Sequence, residues 1–312
     1  MKKTILTLTI ALASMSANAQ FLFRISGNNV KEPSYILGSV HTLPGSLLDS
    51  IPEFLEAESK CHQLYAEYDI SSQQAMAQAQ TAGQQAISLP DGKTIFDVLN
   101  MEQMDLLNYR FKETFQVSFT DSVMKAVWSY QPNVLITTFS LVFTTQEMQK
   151  HPELGLTGTP IDMVCINRAK ERGKTIGQLD EIQPEDKLKN MRDSLNSKID
   201  VQVDSLMAFL NDIDHRKQMI ADELNSVALS GKYWKEGDYD SFAGSAYWVS
   251  QIQKQPDLFK QRNEKWLPKL QAAMNEAPTM FVFGAGHLIG DSGILQLLRN
   301  TGYNVEQIKT KQ

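Results

Sequence analysis

Two short apolar segments, one near each end of the chain, finish in the same Gly-x-x-His pattern. The first covers residues 34–41 and ends in His41, and the second covers residues 279–287 and ends in His287. A run of four or five apolar residues bounded by Gly or Pro predicts a buried strand, and a glycine at its end allows a sharp turn. We therefore expect both imidazoles at the carboxyl ends of strands, the edge where open α/β sheets bind ligands.

A histidine beside a strand often has only a structural role as a hydrogen-bonded core residue. Here two of the five histidines stand in the same context, and this repetition favours one shared site. Gly38 and Gly284 turn the backbone ahead of the two imidazoles, so both are included among the candidate site residues.

The strands predicted at the two ends of the chain suggest one sheet. Residues 21–25 alternate in polarity before a Gly-Asn-Asn turn, which predicts a hairpin with the first Gly-x-x-His strand. A helix from about residue 50 to residue 61 and a strand at 63–70 predict a parallel crossover that sets the end of this strand beside the first histidine. The last strand is expected at 305–308.

The middle of the chain, residues 71–260, is predicted to be mostly helical. It includes an apolar helix at 133–148, whose residues, Leu141 among them, should be buried. It also includes a short strand at 174–179. These elements predict an α/β fold with a central mixed sheet built from the N- and C-terminal segments.

Glu67 interrupts the predicted strand at 63–70. An ionised carboxylate among apolar strand residues costs several kcal/mol unless it has a partner, so a cation is expected beside it. Two neutral imidazoles and one carboxylate are a sufficient ligand set for a catalytic divalent metal, with positions left for water and substrate. A salt bridge from Glu67 to an arginine or lysine at the sheet edge is the alternative. Asp69 is a candidate second ligand or orienting group.

A divalent metal would lower the pKa of bound water and polarise a carbonyl, which are the two contributions that amide hydrolysis needs. A cation that supports the developing oxyanion would complete the site. Arg262 is the candidate for that cation, with a solvated position on a polar helix face as the alternative. Other hydrolase and nucleotide signatures are missing from the sequence: it has no H-E-x-x-H, no G-x-S-x-G and no G-x-x-x-x-G-K-[ST].

Residues 1–19 combine a basic start, an apolar middle and an Ala-x-Ala site, which predicts a signal peptide cut after Ala19 and a periplasmic or secreted protein. Residues 20–312 would form one domain. No later segment approaches the roughly 18 apolar residues of a membrane span. The net charge of −6, without a basic cluster, disfavours nucleic acid as a partner. Cys61 and Cys165 either form a disulfide or remain buried thiols.

With these motifs the sequence resembles the TraB/GumN family, to which the Tiki metalloproteases also belong. The likeness extends over residues 21–308. It is carried by the two Gly-x-x-His motifs, the glutamate within residues 65–69, Gly-Thr-Pro-Ile-Asp at 158–162, and the Arg-Asn pair at 262–263.

The resemblance implies an EreA/ChaN-like α/β fold and a peptidase that depends on Mn or Co, with Zn as a further option. Its metal ligands would be His41, Glu67 and His287, with Arg262 nearby. It also implies that Asp162 and Asn263 lie near the site. The substrate would be a peptide or protein, although the Tiki substrates do not carry over because Tiki proteins are tethered to membranes. The alternative function is a non-catalytic periplasmic protein that binds and sequesters a peptide, haem or metal.

Overall fold

The structure is a computed structural model and describes residues 21–68, 87–150, 158–181 and 198–309. The expected signal peptide, Asp69 and the start of the helical middle at 71–86 lie outside these ranges.

Six strands form one mixed sheet. In chain order they are β1 (Leu22–Gly27), β2 (Ser34–Ser39), β3 (Gln63–Ala66), β4 (Thr175–Gln178), β5 (Thr279–Gly284) and β6 (Tyr303–Gln307). Their order in space is β4-β3-β5-β2-β1-β6. The first four strands of that order run parallel, and β1 is antiparallel to both of its neighbours. The predicted α/β fold, with strands from both ends of the chain in one sheet, is therefore confirmed.

Helices fill most of the remaining described chain. The α-helices are α1 (Pro52–Lys60), α2 (Met101–Phe115), α3 (Pro132–Met148), α4 (Ile161–Glu171), α5 (Ile199–Asn211), α6 (Ile213–Glu236), α7 (Tyr239–Ala243), α8 (Ala246–Lys254), α9 (Lys260–Glu276) and α10 (Ile294–Asn300). Short 3-10 helices lie at Gly45–Ser50, Pro90–Gly92, Ile95–Asp97, Ser122–Val127 and Ala285–Leu288.

The predicted crossover from β2 through α1 to β3 is present, but the two strands are not neighbours. β5 lies between them, pairing Met280 with Tyr35 on one side and with Leu64 on the other. Every residue of β5 is buried, as expected for a central parallel strand covered on both faces. The insertion of β5 brings the second Gly-x-x-His motif between the first motif and Glu67.

β3 ends at Ala66, so Glu67 follows the strand instead of interrupting it, and the prediction of a strand to residue 70 is wrong at this point. Backbone contact with the segment after β4 continues, because Asp180 donates its N–H to the carbonyl of Glu67 at 2.9 Å. A charged carboxylate is more stable at a strand end, where N–H groups and cations can reach it, than inside the apolar sheet.

The apolar residues of the helical middle form a second core of their own. Along α3, Leu135, Phe139 and Phe143 are buried four residues apart on one helical face. Leu141 lies on the opposite face and is 64% exposed, so the expectation that it is buried is wrong. The other buried members of this core are Ile95, Leu99, Leu107, Phe111, Phe119, Val203, Leu206, Phe209, Leu210 and Ile213.

Both cysteines are buried free thiols, which decides between the two alternatives left open by the sequence. Burial raises the pKa of the Cys61 thiol to about 12. In the ranges that the structure describes, no helix is both long enough and apolar enough to cross a membrane.

Candidate functional site

The candidate site lies at the carboxyl edge of the four parallel strands. Asp180, Glu67 and His41 follow β4, β3 and β2 within two residues of each strand's end. His287 follows β5 on the short helical turn Ala285–Leu288. Each of the four strands thus contributes one polar side chain to the same edge, as the general rule for open α/β sheets predicts.

His41 is oriented by Asp162, which lies in the first turn of α4. Its Nδ1 is 2.9 Å from Oδ2 of Asp162, and Ser39 donates its hydroxyl to Oδ1 at 2.7 Å. The hydrogen bond to Asp162 raises the pKa of His41 above 6.5. Burial by itself would raise the pKa of Asp162, but the hydrogen bonds from His41 and Ser39 outweigh burial and hold that pKa below its ordinary value. With Nδ1 engaged, the Nε2 atom of His41 faces Oε1 of Glu67 at 3.9 Å.

His287 is oriented by Asn263. The side-chain nitrogen of Asn263 donates to two carbonyls, of His287 at 3.1 Å and of Ser292 at 2.8 Å. Its Oδ1 must therefore accept from Nδ1 of His287, at 2.7 Å. Nε2 is then the ring nitrogen whose lone pair can accept a hydrogen bond or bind a metal. The imidazole is only 3% exposed and lies 4.3 Å from the Trp266 ring, between centroids. Burial, followed by the positive charges of Arg262 and His41, lowers the pKa of His287 to about 3.

Glu67 lies close to His41 and to the glycine of the second Gly-x-x-His motif. Its Oε1 accepts the backbone N–H of Gly284 at 2.8 Å, so the glycine of the second motif holds the carboxylate directly. Its Oε2 is 2.5 Å from Nη2 of Arg262. The salt bridge named as the alternative for Glu67 is therefore present, and it is formed within the site.

Arg262 reaches the site from α9, and its side chain is only 20% exposed, so it does not occupy the solvated position considered for it. Its Nη1 lies 3.2 Å from Nε2 of His287. Its Nε and Nη2 both contact the carboxylate of Asp180, at 3.3 and 2.5 Å. The guanidinium carbon lies 4.6 Å from the centre of the Trp266 ring, a favourable cation–π distance.

Three residues that contribute to the site were not predicted from the sequence: Asp180, Ser39 and Trp266. Asp180 binds Arg262 and also accepts the indole N–H of Trp266 at 2.8 Å, and Ser39 supports Asp162. Asp180 directly follows the strand predicted at 174–179, so the strand-end rule used for the histidines would have found it. Trp266 lies four residues after Arg262, the spacing of neighbours on one helical face.

A cleft of about 190 Å³ opens beside these residues. It is lined by the polar residues His41, Glu67, Tyr68 and Asp162 and by the apolar residues Ala66 and Ile166. A ligand in this cleft would contact the Glu67–His41 end of the site.

The donor atoms of the site are of the types that bind a divalent metal. Their present geometry, however, is not that of a metal site. Asp162 and Asn263 hold the two Nδ1 atoms, which is how ligating imidazoles are usually oriented, and Glu67 provides an anionic oxygen. Among the residues described, however, no group of three or more His, Cys, Asp or Glu side chains is arranged to hold a metal ion. Arg262 donates to both Glu67 and His287, so its Nη1 would have to leave His287 before that nitrogen could bind a metal.

Gly284→Ala is expected to disturb the site more than the fold. Gly284 has φ −54°, which alanine adopts without strain. The added Cβ would lie 3.0 Å from Nε2 of His41 and 3.4 Å from Oε1 of Glu67, and would therefore push these donors apart. If these donors hold a metal, its affinity measured by calorimetry should fall at least tenfold, with the free energy of unfolding lowered by less than about 1 kcal/mol.

Gly38→Ala is the contrasting control for that variant. Its Cβ would meet a Leu288 methyl at 2.5 Å inside the core, so overpacking should lower the free energy of unfolding by about 1–3 kcal/mol. Equal decreases in the free energy of unfolding of Gly284→Ala and Gly38→Ala would contradict the expectation that only Gly38→Ala disturbs the core.

The fold and the site together define an α/β protein with two oriented imidazoles and a carboxylate at the carboxyl edge of a parallel set of strands. The sequence pattern of the TraB/PrgY/gumN family matches residues 21–307. Because this match spans most of the chain, the protein belongs to the TraB/PrgY/gumN family.

The chain is also similar to a Metalloprotease TIKI homolog from Nematostella vectensis, with 34% identity over 59 residues. The similar segment is 18% of this chain and 12% of that protein, so the likeness concerns a small part of the relative's length. No solved structure matches the chain significantly.

Proposed function

We propose that this protein is an exported, metal-dependent peptidase whose metal ligands are His41, Glu67 and His287. The observation that carries the proposal is the matched orientation of the two imidazoles. Each has its Nδ1 held by an oxygen, from Asp162 or Asn263, so that each offers Nε2. Nε2 of His41 faces Glu67, and Nε2 of His287 faces Arg262, which is itself bound to Glu67.

The roles of the chain's own residues follow from these contacts. Asp162 and Asn263 fix the two imidazoles, and the Gly284 N–H fixes the Glu67 carboxylate. A divalent metal held by these donors, with Mn, Co or Zn as the candidates, would supply an activated water and polarise a peptide carbonyl. Arginine has five N–H donors, and the contacts of Arg262 account for four of them. The remaining Nη1–H is a donor for the oxygen that becomes negative during amide hydrolysis.

Export and the class of substrate are supported by other features. The signal-like composition of residues 1–19 supports a periplasmic or secreted location. Partial similarity to a protein named as a metalloprotease supports a peptide or protein substrate.

The proposal is tested with protein lacking residues 1–19 and a broad peptide library, with cleavage products identified by mass spectrometry. Cleavage should require Mn²⁺, Co²⁺ or Zn²⁺, stop with a chelator and return when metal is restored. His41→Ala should reduce the cleavage rate by roughly 100-fold or more, because a ligand is lost. His215→Ala, which removes an exposed histidine on α6, is the matched control and should retain full activity.

Stoichiometric metal binding without cleavage of any library peptide would overturn the peptidase proposal and favour a binding or sequestering protein. In that case Glu67→Gln would affect only the binding of the sequestered ligand, because there would be no turnover to lose.

A further inference from the structure

The guanidinium of Arg262 is a cation bound to residues of the proposed metal site. It contacts Oε2 of Glu67 at 2.5 Å and Nε2 of His287 at 3.2 Å, two of the three proposed donor groups. The lone pair of an imidazole nitrogen can accept one N–H or bind one metal, but not both. Arg262 and a metal ion therefore exclude each other at His287.

Asp180 makes two positions of the guanidinium feasible. Its carboxylate binds Nε and Nη2 of Arg262, whereas the atom near His287 is Nη1. Asp180 is itself held by the indole N–H of Trp266 at 2.8 Å, and the Trp266 ring supports the guanidinium face. The bond from Nη1 to His287 can therefore break while the buried positive charge keeps its carboxylate partner, which avoids the large cost of an unpaired buried ion.

We propose that Asp180 positions Arg262 as an internal cation that competes with a divalent metal for His287 and Glu67. This inference rests on the proposed function in taking those residues as metal ligands. A metal bound to His287 would require Nη1 to leave that nitrogen, and both N–H groups of Nη1 would then be available to a substrate oxygen. Metal binding and the release of this donor would be coupled, and Asp180 is the residue that would position Arg262 for it.

The test is the affinity of the purified full-length mature chain for Mn²⁺ and Co²⁺, measured by calorimetry, together with the visible spectrum of bound Co²⁺. Arg262→Met keeps an unbranched, flexible side chain beside Trp266, although a shorter one, and removes the charge and every donor. Its dissociation constant for metal should be at least about tenfold lower than that of the wild type, because no internal hydrogen bond to a charged donor has to break.

Arg262→Lys separates direct competition from simple charge repulsion. Lysine keeps the positive charge and the pair with Asp180, but its single ammonium lies one bond short of the Nη atoms and cannot serve Asp180, Glu67 and His287 together. If Arg262 competes directly, this variant should also bind metal more tightly than the wild type, by a smaller factor. Affinity equal to that of the wild type would show that only charge matters and would overturn the proposal.

Arg24→Met is the matched control, because Arg24 forms an exposed ion pair with Glu306 at 3.6 Å, away from the site. Its metal affinity should equal that of the wild type. If Arg262→Met and the wild type bind metal equally well, the competition is refuted while the metal-dependent peptidase stands. If neither binds metal, the metal site itself is refuted and the proposed function fails with it. Should Arg262→Met fail to fold, the lysine variant, which keeps its partner Asp180, decides the question.

Discussion

Replacing Glu67 by glutamine is expected to weaken the binding of Mn²⁺ or Co²⁺ by roughly 100-fold or more, about 2.7 kcal/mol. Glu67 is the only anion among the three proposed ligands, and hard divalent ions such as Mn²⁺ favour carboxylate oxygen. Glutamine keeps the side-chain oxygen that accepts the N–H of Gly284, so the local backbone should be retained. The loss should therefore appear in metal affinity far more than in the fold.

Glu67→Gln also breaks the ion pair with Arg262, but Arg262 keeps Asp180 as its partner. We expect the free energy of unfolding of the metal-free protein to fall by only about 1–2 kcal/mol, measured by urea denaturation. Glu306→Gln is the control, because Glu306 is exposed and pairs only with Arg24 among the ion pairs described, so it should leave metal affinity unchanged. Metal binding that survives Glu67→Gln at full strength would remove Glu67 from the ligand set.

The metal-free protein is expected to lose about 2 kcal/mol of stability through His287 when the pH falls from 7 to 5. Burial lowers the pKa of folded His287 to about 3, whereas the unfolded residue has a pKa of 6.5. Between these values the unfolded chain binds the proton and the folded chain does not. Stability therefore falls as the pH falls through this window, and the total effect down to pH 3 is roughly 4 kcal/mol.

His41 acts in the opposite direction. Its hydrogen bond to Asp162 raises its folded pKa, so its contribution is complete below pH 6.5 and is lost as the pH rises through the raised value. The two histidines partly cancel in the wild type, and the His287 effect must be measured as a difference between variants. Urea unfolding of wild type and His287→Gln at pH 7, 6 and 5, without metal, isolates it. The wild type should lose about 2 kcal/mol more than the variant between pH 7 and pH 5, and parallel pH profiles would show that folded His287 becomes protonated in this range.

The strands could be predicted from the sequence because strand formation depends on local patterns, although their ends were predicted less well. The apolar runs before His41 and His287 form β2 and β5, and the strand predicted at 174–179 forms β4. The end of β3 was predicted too far along the chain. The pattern of apolar residues does not reveal that Glu67 is stabilised by the N–H of Gly284 at the strand end. Leu141 was misplaced because a helix with many apolar residues does not reveal which face meets the core.

The sequence by itself determined the chemistry of the candidate site: which strands end in imidazoles, which carboxylate is near them, and which helix carries the arginine. Only the tertiary structure decided that β5 enters between β2 and β3, and that Arg262 reaches Glu67 across 195 positions of the chain. The same holds for Asp180, which the fold brings to Arg262 from the end of β4. Strand formation follows from the conformational preferences and polarity of neighbouring residues. Distant contacts depend instead on how the buried surfaces of the whole sheet and its helices pack together, and no short segment contains that information.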